Sequence, residues 1–339
     1  MLHMHKSQQK FQKNLIFLVL GLLFSFLLGA CNVGQPKVYR VGVLSGLDFF
    51  AGAVDGFKSQ MTELGYIEGE NITYDVQNAT IDLAAYETIL KQFVADDVDL
   101  IFVFPTEASI LAKQITEGTD IPVIFALSFV EGVNLVDTLE APGGNITGVR
   151  FPGADVATKR LEILLQLAPD VKNIWVPYLR DYPSVPTQIE AIRLMAAPLG
   201  INLIEFATSS PAELQAELDA RAASENVGMD AILLMAEPVA ATPDFFGIIA
   251  QFAYTHQVPF GGTYMLLNGY GSIFGLNPDS VSAGEQVAYL ADKIFQGAAA
   301  GTIPVSTTDN SLVLNDTVAK TFGITIPEGL LKQADEVIR

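Results

Sequence analysis

The sequence has very few residues that bind metals or act through a thiol or an imidazole. Its 339 residues include one cysteine, Cys31, and three histidines, His3, His5 and His256. A disulfide framework needs a second cysteine, and a Cys/His zinc site or a Cys-His nucleophile pair needs more of these residues than the chain has. These three kinds of site are therefore excluded by count, and we predict neither a metal site nor a cofactor.

The first thirty residues have the charge and hydropathy profile of a signal peptide. They contain Lys6, Lys10 and Lys13, no acidic residue, and an apolar run over residues 15–30. A helix of these 16 residues would be about 24 Å long, shorter than the roughly 30 Å hydrocarbon core of a bilayer. We therefore predict a cleaved export signal over residues 1–30 rather than a permanent membrane span.

The apolar run ends in Leu28-Gly29-Ala30-Cys31, which resembles the bacterial lipobox. The resemblance implies cleavage before Cys31 and attachment of diacylglycerol to its thiol, and two or more acyl chains anchor a protein stably. We predict an exported protein, lipid-anchored through Cys31 to the outer face of the bacterial cell membrane or to the periplasmic side of the envelope. The alternative is a chance cysteine after an ordinary cleaved signal or membrane anchor.

Removal of residues 1–30 changes the charge and the histidine count. Three lysines leave and no carboxylate does, so the formal net charge moves from −19 to −22. Such a surface repels nucleic acid, and we predict no nucleic acid partner. Ser-His-Asp chemistry would have to use His256, whose neighbours predict the end of a helix before a strand.

Short β-branched and aliphatic segments alternate with amphipathic segments of helical length. We predict strands at 38–44, 72–78, 100–104, 122–126, 173–178, 202–207, 231–235, 259–262 and 272–276, and helices at 51–64, 83–95, 108–116, 159–167, 187–199, 211–223 and 245–256. This alternation indicates βαβ units and mostly parallel sheets. Because 309 residues exceed the usual size of one core, we predict an α/β fold with two Rossmann-like lobes hinged around a central cleft, at the carboxyl ends of their strands.

Blocks of sequence in both halves match one known family in the same order. They include Leu64-Gly65-Tyr66-Ile67-Glu68-Gly69-Glu70-Asn71-Ile72, Pro142-Gly143-Gly144-Asn145-Ile146-Thr147-Gly148-Val149, Lys159-Arg160-Leu161-Glu162 and Phe322-Gly323-Ile324-Thr325-Ile326-Pro327. Over about 37–339 the chain resembles the ABC transporter substrate-binding lipoproteins of the tryptophan/tyrosine-binding family. The resemblance implies a type I periplasmic binding protein fold that closes on a small solute and delivers it to an ABC permease and ATPase complex.

The resemblance also sets the expected domain boundaries. After the signal we place a lipidated tether at 31–37, a first lobe at 38–149 plus about 279–308, and a second lobe at 150–278 plus about 309–339. We expect a monomer that is not an enzyme.

Loops that follow predicted strands supply the candidate ligand-binding residues. These are Ser45, Asp48, Phe49, Thr106, Glu107, Ser128, Phe129, Arg150, Tyr178, Asp181, Glu237, Thr263 and Asn277. An amino acid needs donors for its carboxylate, an acceptor for its ammonium group and an apolar wall for its side chain. The set contains all three kinds of group.

Specific roles follow from the side-chain types. We expect the hydroxyls of Ser45, Thr106 and Ser128 to bind the carboxylate, with added charge from Arg150. Glu237 or Asp48 would pair with the ammonium group. The rings that would stack on an aromatic ligand are Phe49, Phe129 and Tyr178.

Each role has a structural alternative. Thr106 and Ser128 are residue types that commonly cap helices, the rings of Phe49, Phe129 and Phe151 could fill the gap between lobes, and Glu237 with Arg150 could form a surface ion pair. The chain also departs from the family, since it has Leu127-Ser128-Phe129-Val130 where relatives carry a Thr-Asp-Pro-Val-like stretch. It has Glu237 where they carry an aspartate.

The function predicted from the sequence is a receptor for a small solute, with an amino acid, aromatic ones included, as the best candidate. Two other functions stay open. One is a solute-sensing lipoprotein that couples to a membrane signalling receptor. The other is a lipid-anchored enzyme that uses carboxylates such as Asp48, Glu107 and Glu237.

Overall fold

The structure is a computed structural model, and it describes residues 37–79 and 81–339. The predicted signal segment and Cys31 lie outside the described residues. Within the described ranges, no helix combines the length and the apolar character needed to cross a bilayer.

Strands and helices alternate through most of the described chain. In chain order they are β1 (Tyr39–Ser45), α1 (Gly52–Glu63), β2 (Ile72–Asn78), α2 (Leu83–Ala95), β3 (Leu100–Phe104), α3 (Thr106–Ile115), β4 (Val123–Ser128), β5 (Ile146–Arg150), α4 (Gly153–Leu167), β6 (Asn173–Leu179), α5 (Val185–Ala196), β7 (Asn202–Thr208), α6 (Pro211–Ala222), β8 (Ala231–Leu233), α7 (Pro238–Ala241), α8 (Pro243–His256), β9 (Phe260–Gly261), β10 (Leu266–Leu267), β11 (Tyr270–Gly271), β12 (Phe274–Pro278), α9 (Ser280–Phe295), β13 (Ser306–Thr307), β14 (Asn310–Asn315), α10 (Asp316–Thr321), α11 (Glu328–Leu331) and β15 (Glu336–Ile338).

The first α/β unit is built on a six-stranded parallel sheet in the order β13-β5-β4-β3-β1-β2. Strands β3 and β4 are buried along their whole length, as expected for strands that helices cover on both faces. Val43 and Phe102 pack on one face, whereas Leu44 and Ile101 pack on the other. Each strand therefore supplies two cores with side chains that alternate in direction.

The chain returns to the first unit through α9 and β13. Helix α9 lies so close to α1 that a Cβ on Gly284 would come within 2.0 Å of the carbonyl oxygen of Ala53. A Cβ on Gly56 would lie 2.1 Å from the carbonyl oxygen of Val281, so both positions require glycine. Strand β13 pairs with β5. The lobe boundaries given above stay a prediction.

The second α/β unit combines a parallel sheet in the order β7-β6-β8-β9 with the strands β12-β14-β15. A parallel bridge between Gly262 and Gly275 links the two sets of strands. Helices α4, α5 and α8 contribute to the apolar clusters that pack against these strands. The predicted fold class, with parallel sheets flanked by helices, is confirmed.

Several elements differ from the predicted ones. Helix α4 begins at Gly153, six residues before the predicted start, and none of the elements from α9 onward was predicted. The hairpin β10–β11 and the four-residue helix α7 were not predicted, because elements this short carry no periodic signal. The last predicted strand of the second half, 272–276, begins two residues later as β12. His256 is the last residue of α8, as the sequence indicated.

Candidate functional site between the two units

A small cavity lies where the strands of the two units end and face each other. It is lined by Leu47, Phe49, Phe50, Pro105, Leu127, Phe129, Phe151, Arg160, Tyr182, Ala236, Glu237, Pro238, Ala241, Thr263 and Pro278. Most of these residues follow or end strands. The exceptions lie on helices: Arg160 on α4, Pro238 and Ala241 on α7, and Phe49 and Phe50 in a short 3-10 helix after β1. Carboxyl ends of parallel strands are the usual ligand sites of open α/β sheets.

The cavity is nearly closed in this conformation. Its volume is about 30 Å³, which is room for water but not for an amino acid. Two of its lining residues, Phe129 and Phe151, pack edge to face with ring centroids 5.4 Å apart. A solute must therefore displace these rings or hold the two units further apart.

A larger groove of about 860 Å³ lies at the opposite edge of the first sheet. It is lined by residues at the amino ends of strands, such as Tyr39, Asp99 and Asn145. Because that edge is opposite to the carboxyl ends of the strands, we assign the candidate solute site to the smaller cavity.

Glu237 provides a buried carboxylate at the cavity, immediately before α7. Its side chain belongs to a residue only 5% exposed. Oε2 accepts a hydrogen bond of 2.9 Å from the backbone N–H of Leu179, but Oε1 is buried without a hydrogen-bond partner among the described residues. Burial raises the pKa of Glu237 to about 7, against the lowering effects of the backbone amides of Leu179, Val239 and Ala240 and, last, of the Arg160 charge.

The loop that carries Glu237 is held by the side-chain amide of Gln188. Its Nε2 donates to the carbonyl oxygen of Ala236 at 3.1 Å, and its Oε1 accepts from the N–H of the same residue at 3.0 Å. Gln188 is itself fully buried on α5. The carboxylate is therefore mounted on a fixed backbone.

Arg160 on α4 is a buried cation at the same cavity, and only 1% of the residue is exposed. Nε and Nη2 donate to the carbonyl oxygen of Leu276 at 3.1 and 2.8 Å, and Nη1 donates to that of Leu234 at 3.1 Å. Burial lowers its pKa to about 9, although the charge of Glu237 acts in the opposite direction.

Tyr182 and Glu107 join the two units beside the cavity. The phenol of Tyr182 donates a hydrogen bond of 2.9 Å to Oε2 of Glu107, while Oε1 of Glu107 is buried without a partner in the described part of the chain. Burial is the main cause that raises the pKa of Glu107. The pKa of Tyr182 is raised as well, first by burial and then by the charge of Glu107.

The hydroxyls expected to bind a carboxylate lie below the cavity surface. Thr106 Oγ1 accepts a hydrogen bond of 3.0 Å from the N–H of Phe129, and Ser128 Oγ lies 2.8 Å from Ser109 Oγ. Neither residue caps a helix through its side chain. Ser45 Oγ is buried without a partner among the described residues, but Ser45 does not line the cavity.

Five other candidates also lie away from the cavity lining. Arg150 forms an ion pair with Glu131, so the alternative of a surface pair between Arg150 and the buried Glu237 is wrong. Tyr178 packs against the core of the second unit, and Asn277 binds both backbone groups of Tyr264. Asp48 and Asp181 are exposed.

Four of the candidates line the cavity: Phe49, Phe129, Glu237 and Thr263. Glu107 does not line it but accepts a hydrogen bond from the lining residue Tyr182. Sequence reasoning missed Arg160 and Tyr182. Arg160 had a detectable signal, because it falls on the stripe of buried residues on α4 that also contains Val156 and Leu167. Tyr182 had none, since it is one aromatic residue in a loop.

The described residues contain no group of three or more His, Cys, Asp or Glu side chains arranged to hold a metal ion. The cavity supplies one free carboxylate oxygen, a largely satisfied guanidinium, a phenol and an apolar wall. This combination suits the reversible binding of a small amphipathic solute.

Comparison with known proteins identifies the family. The model of the ABC transporter substrate binding proteins matches residues 43–338. The chain belongs to this family. The resemblance inferred from the sequence blocks is thus confirmed, and the protein is a solute-binding protein of the ABC transporter type.

Relatives in the family share both sequence and structure with the chain. A tyrosine-binding protein of Clostridioides difficile is 28% identical over 274 residues, which cover 79% of this chain and 75% of the relative. The structure of an ABC domain in complex with L-Trp from Streptococcus pneumoniae superposes with a TM-score of 0.78 at 26% identity, covering 89% of this chain and 100% of that chain. A conserved domain protein from Vibrio cholerae gives the same TM-score, identity and coverage.

Proposed function

We propose that this family member binds an amino acid in the cavity between its two units and serves as the substrate-binding lipoprotein of an ABC importer. The observation that carries the proposal is Oε1 of Glu237, a buried carboxylate oxygen for which residues 37–79 and 81–339 supply no hydrogen-bond partner, on a residue that lines a mainly apolar cavity. A buried carboxylate oxygen that accepts no hydrogen bond is costly. A ligand ammonium group would supply the missing donors and the compensating charge.

Two relatives support an amino acid as the solute class. One is named a tyrosine-binding protein, and the other was solved with L-Trp. In this chain Glu237 would bind the ammonium group, and Arg160 and Thr263, on the same side of the cavity, would face the carboxylate. The aromatic rings of Phe49, Phe129 and their neighbours would contact the side chain.

The cellular setting follows from the N-terminal sequence. The charge profile of residues 1–30 supports export, and Leu28-Gly29-Ala30-Cys31 supports lipidation of Cys31. A lipid anchor would keep a monomeric receptor beside its permease, and closure of the two units on the solute would form the surface that the permease recognises. Such a receptor carries out no catalysis.

The solute class is tested by thermal stabilisation of the full chain in detergent, with amino acids, nucleosides and sugars as separate panels. A saturable rise in melting temperature with amino acids, and none with the other panels, is the expected result. If a sugar or a nucleoside stabilises the protein and no amino acid does, the proposed solute class is wrong. Product analysis of the same incubations should find every amino acid unchanged.

A further inference from the structure

Polar and apolar groups are separated on the two sides of the cavity. The side chains from the first unit are all apolar: Leu47, Phe49, Phe50, Pro105, Leu127 and Phe129. The polar side chains that line the cavity all come from the second unit: Arg160, Tyr182, Glu237 and Thr263. An amphipathic solute would therefore lie in one orientation, with its charged groups toward the second unit.

The hydroxyl groups of Thr106 and Ser128 next to the apolar wall are already used inside the first unit. Ser45 Oγ and Glu107 Oε1 have no hydrogen-bond partner among the described residues, but neither residue lines the cavity. Thr106 Oγ1 accepts from the N–H of Phe129, and the N–H of Phe50 donates to the carbonyl oxygen of Leu47. Ser128 Oγ is paired with Ser109 and with the carbonyl oxygen of Ala126. A hydroxyl at the end of a solute side chain would find no side-chain partner on this wall.

The second unit has enough free groups for both charges of an amino acid. Glu237 Oε1 is without a partner among the described residues. Arg160 donates three of its N–H groups to the carbonyl oxygens of Leu276 and Leu234. Because a guanidinium has five N–H groups, the other two can bind a ligand carboxylate. The side chain of a bound amino acid would then extend toward the apolar wall.

We propose that the site selects amino acids whose side chains carry no polar atom, such as phenylalanine and leucine, and discriminates against tyrosine. This inference rests on the proposed amino acid function. A tyrosine hydroxyl buried against Phe49, Phe50 and Leu127 would lose its hydrogen bonds to water and gain none. A single hydroxyl placed in an apolar pocket is rejected by roughly tenfold to a hundredfold.

Calorimetric titration of the full chain in detergent tests this with four ligands: phenylalanine, 4-methylphenylalanine, tyrosine and leucine. The methyl group of 4-methylphenylalanine has about the size of the tyrosine hydroxyl, so it separates polarity from steric fit. We expect 4-methylphenylalanine to bind at least tenfold more tightly than tyrosine. Tyrosine binding within threefold of 4-methylphenylalanine overturns the inference and leaves the proposed function standing.

Two variants of one wall residue extend the test. Phe49→Asn gives the tyrosine hydroxyl a hydrogen-bond partner on the wall, so the affinity ratio between 4-methylphenylalanine and tyrosine should fall below threefold. Phe49→Leu keeps the wall apolar and should leave this ratio unchanged. Unchanged ratios in both variants contradict the assigned orientation. If Phe49→Asn does not fold, the wild-type ratio still decides. If none of the four ligands and no other amino acid binds, both this inference and the proposed function are wrong.

Discussion

The phenol of Tyr182 in the second unit donates a 2.9 Å hydrogen bond to Oε2 of Glu107 in the first. Tyr182 is 8% exposed, and the other oxygen of Glu107 has no partner in the described part of the chain. Among the described residues, Tyr182 is thus the one hydrogen-bond partner from another side chain that the Glu107 carboxylate has. The bond also connects the two units at the edge of the candidate site.

Removal of this bond should destabilise the unliganded protein. Tyr182→Phe leaves the partly buried Glu107 carboxylate without a donor, which costs about 1–3 kcal/mol in the free energy of unfolding. Glu107→Gln keeps an acceptor for the phenol and should cost less at pH 8. Urea denaturation followed by circular dichroism measures both variants. A Tyr182→Phe protein as stable as wild type would contradict the importance of this bond.

The raised pKa of Glu237 predicts a pH-dependent contribution to stability. Burial raises it from 4.5 to about 7, so the folded state binds the proton more tightly than the unfolded state. The resulting stabilisation is complete below pH 4.5 and is lost as the pH rises through 7. It amounts to about 3 kcal/mol.

Glu237→Gln should remove this dependence, because glutamine resembles the protonated carboxyl group and does not titrate. The difference in unfolding free energy, variant minus wild type, should therefore increase by roughly 3 kcal/mol between pH 4.5 and pH 8. Urea titrations of both proteins across this range measure the difference. A difference that does not change with pH would show that Glu237 titrates normally.

Arg160 should stabilise the second unit through the carbonyl oxygens it binds. Arg160→Met leaves the carbonyl oxygens of Leu276 and Leu234 without the guanidinium N–H donors. We expect the free energy of unfolding to fall by at least about 2 kcal/mol. Arg193→Met is the matched control, since Arg193 is exposed and pairs with Glu205 at the surface. It should cost less than about 1 kcal/mol, and equal losses in the two variants would refute the assignment.

Lipidation predicts a single modified residue. Mass spectrometry of the protein from its native membrane should find a new N-terminus at Cys31 with diacylglycerol on the thiol. Cys31→Ser should block both the modification and the processing before residue 31, and leave the uncleaved form in the cell. An unmodified Cys31 in the mature protein would disprove the anchor.

Much of the fold was predictable because long periodic segments dominate it. Strand β3 occupies the predicted residues 100–104, since a continuous apolar run between helices fits only a buried strand in this context. Gly65 has a φ of +92° after α1, as expected for a glycine that ends a helix. Two-residue strands such as β10 were not predictable, because their pairing depends on tertiary contacts.

The site was only partly predictable. Glu237 and Phe129 follow strands and do line the cavity, but position after a strand does not show which polar groups are already paired. Thr106 looked like a ligand donor and instead accepts from the N–H of Phe129. The division into an apolar and a polar wall also depends on how the two units face each other, which no local pattern encodes.

The central claim is tested most directly by calorimetric titration of the best-binding amino acid into three proteins: wild type, Glu237→Gln and Glu225→Gln. Glu225→Gln is the control, because the Glu225 side chain is exposed. Loss of a charged hydrogen bond to the ligand ammonium group should weaken binding to Glu237→Gln by roughly tenfold to a hundredfold, and Glu225→Gln should bind like wild type. Affinity for Glu237→Gln within twofold of wild type would contradict the claim that this buried carboxylate holds the solute.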